Sequence, residues 1–343
     1  MIRFTGDINL TDWDFNFGFG IGSRISGGFN PFSRLTRNEN DLWIGNFEGV
    51  ASDITTRSGM AANVFRVTPA ALKSLPHLDI YGIANNHAMQ HGAEAFQQTW
   101  SALQSFGCKT FGKNDRRSVV VEHQGRKVSL TGCCFRIDEF TEIPSYWYNP
   151  EYVEIKEELN ILPKEAFKVI YVHWGNEYIN RPSTQQKKFA HWLIDVGFDL
   201  IIGMHPHVLQ GYEGYKGKRI YYSLGNFVFD MAWEPCRYGA IVSVDLSKDA
   251  PAFLEEYVYI DKTCSPYCIG ENKVPKHYRF DYLNEQLQKE DNSESYHKEI
   301  NRLYKDYRKA NRKYVISNIL HHPWFGVEVI RDFIKRRIYN KTI

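Results

Sequence analysis

Five short apolar segments of this chain each run into residues that can bind a metal ion, and this pattern constrains the fold more than any other feature. Each segment has the length of a β-strand. The chain alternates such segments with helical stretches up to about residue 248, which predicts an α/β fold. The polar ends that follow the five segments are Gly6-Asp7, Asn46-Phe47-Glu48, Asn85-Asn86-His87, His173-Trp174-Gly175 and His205-Pro206-His207.

Apolar runs and helical periodicity predict the positions of the main elements. The predicted strands are Ile2–Thr5, Leu42–Gly45, Leu78–Ala84, Lys127–Cys134, Val169–Val172, Leu200–Gly203, Ile220–Ser223, Ala240–Asp245 and Phe253–Ile260. The predicted helices are Pro69–Leu75, Gly92–Phe106 and Thr184–Val196. The glycine-rich segment Gly18–Gly28 lacks the spacing of a nucleotide-binding loop and is expected to form a loop near the site.

The character of the sequence changes after Pro251. The last strand is followed by a polar stretch and then by a long charged helical region, Asn284–Lys313. We therefore predict an α/β domain over residues 1–262 and a charged, mostly helical extension over residues 263–343.

The polar segments predict a metal site if their strands are parallel neighbours, because ligands of open α/β sheets bind beyond the carboxyl ends of the strands. Carboxylate, amide and imidazole donors without a thiolate favour Mn²⁺, Fe²⁺, Zn²⁺, Ni²⁺ or Co²⁺. The donors are numerous enough for one or two ions. A two-ion centre, with ions roughly 3.5–4 Å apart, would need a bridging carboxylate, and Asp7 or Glu48 could supply it.

The distribution of charge disfavours a nucleic-acid enzyme. The net charge is +2, but residues 297–343 contain 12 Lys and Arg against 4 Asp and Glu, so the body of the chain is slightly acidic. The tail from Trp324 to Ile338 is amphipathic and basic, which permits contact with a membrane surface but favours packing on the body or on a protein partner. Its two faces comprise Phe325, Val329, Phe333 and Ile334 against Arg331, Lys335, Arg336 and Arg337.

Cellular location is also addressed by the sequence. The six cysteines lack the spacing of a zinc site and are expected to be free thiols. The opening residues MIRFTGDINL contain no long apolar run after a basic stretch. The sequence therefore predicts a cytoplasmic protein, peripheral at the membrane if the tail binds there.

The order of the polar segments resembles a known protein family. The series FTGDI, NFEG, ANNHAMQHG, VHWGNEY, GMHPHVLQGYE and YSLGNFVFD is similar to the CapA family of poly-γ-glutamate and capsule biosynthesis. That family resembles the calcineurin-like metallophosphatases, so the resemblance implies an α/β sandwich of central β-sheets flanked by helices. It covers about Ile2 to Asp230.

The resemblance also implies roles for individual residues. It places metal ligands at Asp7, Glu48, Asn86, His173, His205 and His207. It implies that His87 is the general acid, which protonates the leaving group. Residues expected to shape the site or contact the substrate are Asn9, Asn46, Asn85, Glu177, Gln210 and Asn226.

An anionic small molecule or polymer is the expected substrate. Guanidinium groups pair bidentately with carboxylate or phosphate, and the candidates for this contact are Arg24, Arg66, Arg136 and Arg181, with Arg66 and Arg181 preferred.

Two departures from the family pattern leave the function open. Metallophosphatases usually have a histidine where this chain has Asn9, and the family often has an acid where it has Gln90. The leading hypothesis is a metal-dependent hydrolase of phosphoesterase type in capsule or polyglutamate synthesis. The alternatives are a non-catalytic accessory protein of a polymer-synthesising complex, or amide or epimerase chemistry on a peptide substrate.

Overall fold

The computed structural model describes residues 1–248, 250–289 and 293–339. In chain order the strands are β1 (Ile2–Ile8), β2 (Leu42–Phe47), β3 (Val50–Ala51), β4 (Arg66–Val67), β5 (Ile80–Gly82), β6 (Lys109–Phe111), β7 (Ser118–His123), β8 (Arg126–Cys134), β9 (Phe167–His173), β10 (Leu200–Met204), β11 (Tyr212–Tyr215), β12 (Lys218–Tyr221), β13 (Asn226–Val228), β14 (Tyr238–Asp245), β15 (Ala252–Ile260) and β16 (Pro266–Ile269).

The helices include the three that the sequence predicts and also Tyr152–Ile161, which it does not predict. They are α1 (Ile21–Ser26), α2 (Pro69–Leu72), α3 (Ala93–Ser105), α4 (Tyr152–Ile161), α5 (Thr184–Val196), α6 (Phe280–Leu287), α7 (Ser293–His321) and α8 (Pro323–Tyr339). Helix α5 has its predicted bounds because Ser183 caps its first turn and Gly197 ends it. The expectation of a loop over Gly18–Gly28 is wrong in part, since α1 forms inside this segment and buries Ile21 and Ile25.

The strands form two large sheets. The first has the order β16-β15-β14-β1-β2-β5-β6, with β13 also paired to β1, and the second has the order β11-β12-β10-β9-β8-β7. Strands β1, β2, β5 and β6 run parallel, as do β8, β9, β10 and β12. The five polar segments therefore follow strands of two different sheets, three from the first and two from the second, rather than neighbours of a single sheet.

The two sheets pack face to face, which confirms the predicted α/β sandwich. Alternate residues of each strand enter the core between the sheets, where Phe4 and Ile44 meet Val169 and Tyr171. The Tyr171 hydroxyl also donates to the Ile44 carbonyl, 3.2 Å away, and so links the sheets directly. The opposite faces pack against α3 and α5, as expected for strands that are buried on both sides.

Two glycines allow the strands to approach each other closely beside the polar segments. A Cβ atom on Gly6 would lie 2.0 Å from the Gly225 carbonyl oxygen, and one on Gly203 would lie 1.9 Å from the Tyr222 carbonyl oxygen. Neither position has room for any side chain. The sequences Gly-Asp near the end of β1 and Gly-Met-His at the end of β10 thus set how near the polar residues come to the adjacent backbone.

The C-terminal region packs on the α/β body. The first sheet continues past residue 262, the predicted domain boundary, because β16 pairs with β15. Helix α6 then buries Phe280 and Leu283 in the core between the sheets. The predicted helical region Asn284–Lys313 is two helices, of which α6 begins before it and α7 ends after it.

The tail helix α8 is partly buried, so the predicted packing on the body is confirmed. Phe325 is fully buried and meets the Phe19 ring edge to face, at 5.4 Å between centroids. Trp324, Val327 and Ile330 are exposed on the same helix. The side chains of Phe333, Lys335, Arg336 and Arg337 lie outside the described residues, and binding of the tail to a membrane surface or partner stays a prediction.

Two further findings concern cysteines and membranes. All six cysteines are free thiols, as the sequence predicts, and only Cys268 is exposed. Within the described ranges, every helix is too short or too polar to span a lipid bilayer. Cytoplasmic location remains a prediction.

The close approach at Gly203 generates the first testable prediction. We expect Gly203→Ala to lower the free energy of unfolding by about 1–3 kcal/mol, because the added methyl group forces β10 away from Tyr222. Gly214→Ala is the control, since Gly214 is an exposed strand residue whose nearest atom to an added Cβ is 4.0 Å away. Chemical denaturation measures both, and equal unfolding midpoints would contradict the prediction.

Candidate metal centre

Asp7 anchors a buried polar cluster where the two sheets meet. It is the second-last residue of strand β1 and is fully buried. Its Oδ1 accepts a hydrogen bond from Asn46 Nδ2 at 2.7 Å, and its Oδ2 accepts one from the backbone N–H of His205 at 3.1 Å. These two contacts join β2 and the segment after β10, so one carboxylate connects both sheets.

Glu48 is the most poorly compensated group in the cluster. It follows β2, is fully buried, and neither carboxylate oxygen accepts a hydrogen bond from the described residues. The Nε2 atoms of His87 and His207 each lie 3.8 Å from Glu48 Oε1. Burial, and then the nearby charge of Asp7, raise the pKa of Glu48 well above its usual value. Burial likewise raises the pKa of Asp7.

The potential ligand atoms form two groups. One comprises Asp7, Glu48 and His173, and the other comprises Glu177, His205 and His207; in each group the ligand atoms lie within 4.8 Å of one another. Five of these six residues are predicted ligands, and the structure brings them together as the sequence pattern requires. The sixth, Glu177, was expected to shape the site or contact the substrate, and not to be a ligand.

His205 and His207 are held in unusual backbone conformations. Their φ angles are +95° and +57°, so the segment His205-Pro206-His207 turns sharply after β10. Both ring nitrogens of His205 are buried without a hydrogen-bond partner among the described residues. Burial lowers the pKa of His205 well below its usual value, which favours the neutral ring.

Asn226 sets the orientation of His207. The amide Oδ1 of Asn226 lies 2.9 Å from His207 Nδ1, and its Nδ2 donates to the Cys236 carbonyl. Because an amide oxygen only accepts, Nδ1 is the donor in this hydrogen bond, and Nε2 is the nitrogen that faces Glu48. Such a partner behind a ligating histidine fixes the tautomer that binds a metal.

Asn86 and His173 approach the cluster from different sheets. Asn86 Oδ1 lies 2.8 Å from His173 Nε2, and Asn46 Nδ2 lies 3.4 Å from His173 Nδ1. Burial lowers the pKa of His173 well below its usual value. The amide oxygen and the imidazole predicted as ligands thus face each other at one side of the cluster.

His87 lies half-buried at the edge of the cluster. Its ring stacks on Phe65 with centroids 4.0 Å apart, and its Nδ1 lies 2.8 Å from Gln90 Oε1. The amide of Gln90 orients the ring but supplies no negative charge, and burial lowers the pKa of His87 to about 4. Nε2 is the nitrogen that faces Glu48.

The other predicted residues shape the segments around the cluster. Asn85 Nδ2 donates to the Phe47 carbonyl at 2.8 Å, and Gln210 Nε2 donates to the Ile179 carbonyl at 2.8 Å. Asn9 Oδ1 accepts hydrogen bonds from the backbone N–H and hydroxyl of Thr11. Its carbonyl oxygen is therefore used in a local turn.

Arg66 and Arg181, which were expected to contact the substrate, bind groups of the protein itself, and their role in substrate binding stays a prediction. Arg66 donates to the carbonyl oxygens of Ala62 and Ser52, and Arg181 forms a 2.7 Å ion pair with Glu299 of α7. Their guanidinium groups are held within the protein. Arg24 likewise donates to the Thr263 carbonyl, and Arg136 donates to the Gly175 carbonyl beside His173.

The sequence interpretation missed the contribution of Glu177 and of α7. Glu177 follows β9, and its Oε2 accepts a 2.7 Å hydrogen bond from the Tyr304 hydroxyl of α7. Its acidity and its position four residues after His173 were visible in the segment VHWGNEY. Tyr304 carried no signal, because the sequence does not show that a helix more than 100 residues later returns to this edge.

The cluster has the properties of a divalent metal site. Burial of a carboxylate that accepts no hydrogen bond is costly, and Glu48 is in this state among the described residues, beside a second buried carboxylate. Neutral imidazoles and carboxylates are suitable donors for a transition metal. The residues present therefore fit one or two such ions.

Comparison with known proteins gives a family match. The sequence model described as "Bacterial capsule synthesis protein PGA_cap" matches residues 2–231, which include every residue of the two groups.

Two similar proteins illustrate the range of relatives. The capsule biosynthesis protein CapA of Bacillus anthracis is 33% identical over 192 residues, covering 51% of this chain and 46% of the relative. A probable polyglutamine synthesis accessory protein of Mycobacterium tuberculosis is 27% identical over 182 residues, covering 47% of each. The chain thus spans about half the length of the curated relatives it matches.

A solved structure with a similar outline is the 5'-nucleotidase of Candida albicans. It has a TM-score of 0.44 and 18% sequence identity, over 91% of this chain and 58% of that one.

The donor groups generate a prediction about metal content. We expect Asp7→Asn and His205→Ala to weaken binding of Mn²⁺ by at least about tenfold, because each removes a buried donor. His297→Ala is the control, since this histidine is exposed on α7. Elemental analysis and metal titration of the purified proteins measure the effect. Full metal content in either variant would argue against the site.

Asn226 allows a test of orientation without removal of a ligand. We expect Asn226→Leu to weaken metal binding roughly 10–100-fold, because His207 loses the acceptor that fixes its tautomer. Asn226→Asp keeps an acceptor at this position and should retain tighter binding than Asn226→Leu. Metal affinity is measured by competition with a chelator, and equal affinities of the two variants would contradict this role.

Proposed function

The chain belongs to the bacterial capsule synthesis protein PGA_cap family, and we propose on this basis that it is a metal-dependent hydrolase of phosphoesterase type. We propose that it acts in the synthesis of capsule polysaccharide or polyglutamate. The observation that carries the proposal is the Glu48 carboxylate, buried without a donor among three histidines and Asp7. A purely structural cluster would not leave this carboxylate uncompensated.

The proposed cofactor is one or two divalent transition metal ions, Mn²⁺, Fe²⁺, Zn²⁺, Ni²⁺ or Co²⁺. Asp7, Glu48 and His173 would hold one ion, and Glu177, His205 and His207 a second. Asn86 would add its amide oxygen. A bound ion of this kind supplies Lewis acidity toward a phosphoryl or acyl oxygen and lowers the pKa of water.

The chain's own residues contribute orientation and proton transfer. Asn46 holds Asp7, and Asn226 holds His207, so the donors are arranged before substrate binds. His87 is placed by Gln90 and Phe65 with Nε2 toward the cluster. We propose that this nitrogen accepts the proton that the attacking water loses and passes it to the leaving group.

A non-catalytic accessory role is the second candidate. It is favoured by Asn9, which stands where metallophosphatases usually have a histidine and whose carbonyl oxygen is used by Thr11. It also agrees with the name of the Mycobacterium tuberculosis relative, an accessory protein. In such a protein the fold would be kept while the chemistry is lost.

One experiment distinguishes these functions. The purified chain, loaded with Mn²⁺, is tested on a phosphomonoester, a phosphodiester and a γ-linked polyglutamate. We expect hydrolysis of at least one compound, its loss on chelation, and a decrease of roughly 100-fold or more in His87→Ala.

The other outcomes are informative in different ways. A chain that binds no transition metal and hydrolyses none of the three compounds would favour the accessory role. Activity on polyglutamate that is indifferent to chelator would favour amide or epimerase chemistry at the histidines.

A further inference from the structure

A cavity of about 650 Å³ lies between the candidate metal centre and helix α7. Its walls come from three parts of the chain: the segment after β1, the segment after β9, and one face of α7. Glu177 belongs both to this cavity and to the group with His205 and His207. The cavity therefore reaches the candidate metal centre at Glu177.

Helix α7 is fixed in place over the cluster. Tyr307 stacks on Tyr178 with centroids 4.1 Å apart, and Tyr304 donates its hydroxyl hydrogen to Glu177. Tyr178 has a φ of +70°, so the segment after β9 is bent to meet these rings. The ion pair of Arg181 with Glu299 holds the same helix one turn earlier. The cavity is thus formed by well-packed elements.

The cavity is lined by aromatic side chains and by two arginines. Trp13, Phe15 and Tyr304 supply flat apolar surface, while Arg308 and Arg312 are exposed at the rim. Across the described part of the chain, neither of these arginines has an ion-pair partner. They are four residues apart, so both guanidinium groups lie on one face of the helix.

Arg308 and Arg312 offer guanidinium donors that the described part of the protein does not already use, in contrast to the arginines predicted from the sequence. Arg66 and Arg181 spend their donors on the protein itself. Arg308 and Arg312 are available to an anion, and guanidinium groups bind carboxylate and phosphate in the same bidentate way. Helix α7 also lies outside residues 2–231, the part that matches the family.

We propose that α7 forms a binding site for a polyanionic chain, whose negative groups contact Arg308 and Arg312 while its reacting group lies at the metal centre. The reaction at the metal centre rests on the proposed function, whereas the binding of the polyanion to α7 does not. The charges would be the carboxylates of a polyglutamate or the phosphates of a phosphodiester polymer. The aromatic wall would pack against the apolar part of the repeating unit.

The test compares two double variants of α7 by calorimetry on the Mn²⁺-loaded full chain. Arg308→Gln with Arg312→Gln removes both charges from the cavity, while Lys305→Gln with Lys309→Gln removes two exposed charges of the same helix outside it. The probes are a γ-linked hexaglutamate and a hexathymidylate, which separate carboxylate from phosphodiester recognition. Circular dichroism and metal content check that each variant is folded and loaded.

We expect the arginine variant to bind at least one probe about tenfold or more weakly than the unmodified chain, since each guanidinium gives charge-assisted hydrogen bonds. The lysine variant should stay within about twofold. The inference is overturned if neither probe binds the unmodified chain, if the arginine variant binds normally, or if both variants lose the same affinity.

The same experiment tests the proposed hydrolase function independently of the binding site on α7. Arginine-dependent binding without turnover would support the binding site and count against the hydrolase. Turnover together with binding that is unchanged in the arginine variant would support the hydrolase and count against the binding site.

Discussion

Burial of two carboxylates against neutral imidazoles is the constraint around which this structure is organised. Asp7 and Glu48 are fully buried at the junction of the two sheets, and burial raises the pKa of both. His173 and His205 are poor counter-cations for these carboxylates, because burial lowers the pKa of both histidines well below the usual value. A divalent cation satisfies both requirements at once, since it needs anionic and neutral donors together. The glycines, sharp turns and supporting amides keep these donors close despite the free-energy cost of burying two carboxylates together.

The helical C-terminal region contributes to the same site from outside the family match. Tyr304 contacts Glu177, and Tyr307 belongs to the same hydrophobic cluster as Phe65 and Phe229, the rings that touch His87 and His207. Because α7 meets both the potential ligands and their aromatic neighbours, the shape of the cavity depends on it. Proteins with the same α/β body and a different C-terminal region could therefore hold the same cluster and accept different substrates.

Much of the fold and of the cluster could be predicted because the relevant signals are local. Apolar runs mark the strands, and donor residues at their ends mark the site, so the strand ending at Gly6-Asp7 and helix Thr184–Val196 were recognisable. The assignment of strands to two sheets was not, since it depends on pairings such as Leu200 with Val169 that no short window reveals. Arg181 shows the same limit, because only its partner Glu299, more than 100 residues later, decides its role.

The absence of a histidine at position 9 has less effect on the site than the sequence suggests. The two potential ligand groups contain three donors each and share no residue, and neither includes position 9. Glu177 supplies a carboxylate to the group with His205 and His207, and the hydroxyl of Tyr304 fixes one of its oxygens. A third donor therefore reaches this group from the segment after β9 rather than from β1. Asn9 is then free to hold the turn at Thr11, which leads the chain toward Trp13 at the wall of the cavity. Under this arrangement Asn9, which departs from the metallophosphatase pattern, would support the wall of the substrate cavity. Glu177, which the pattern did not assign as a ligand, would complete the donor group with His205 and His207.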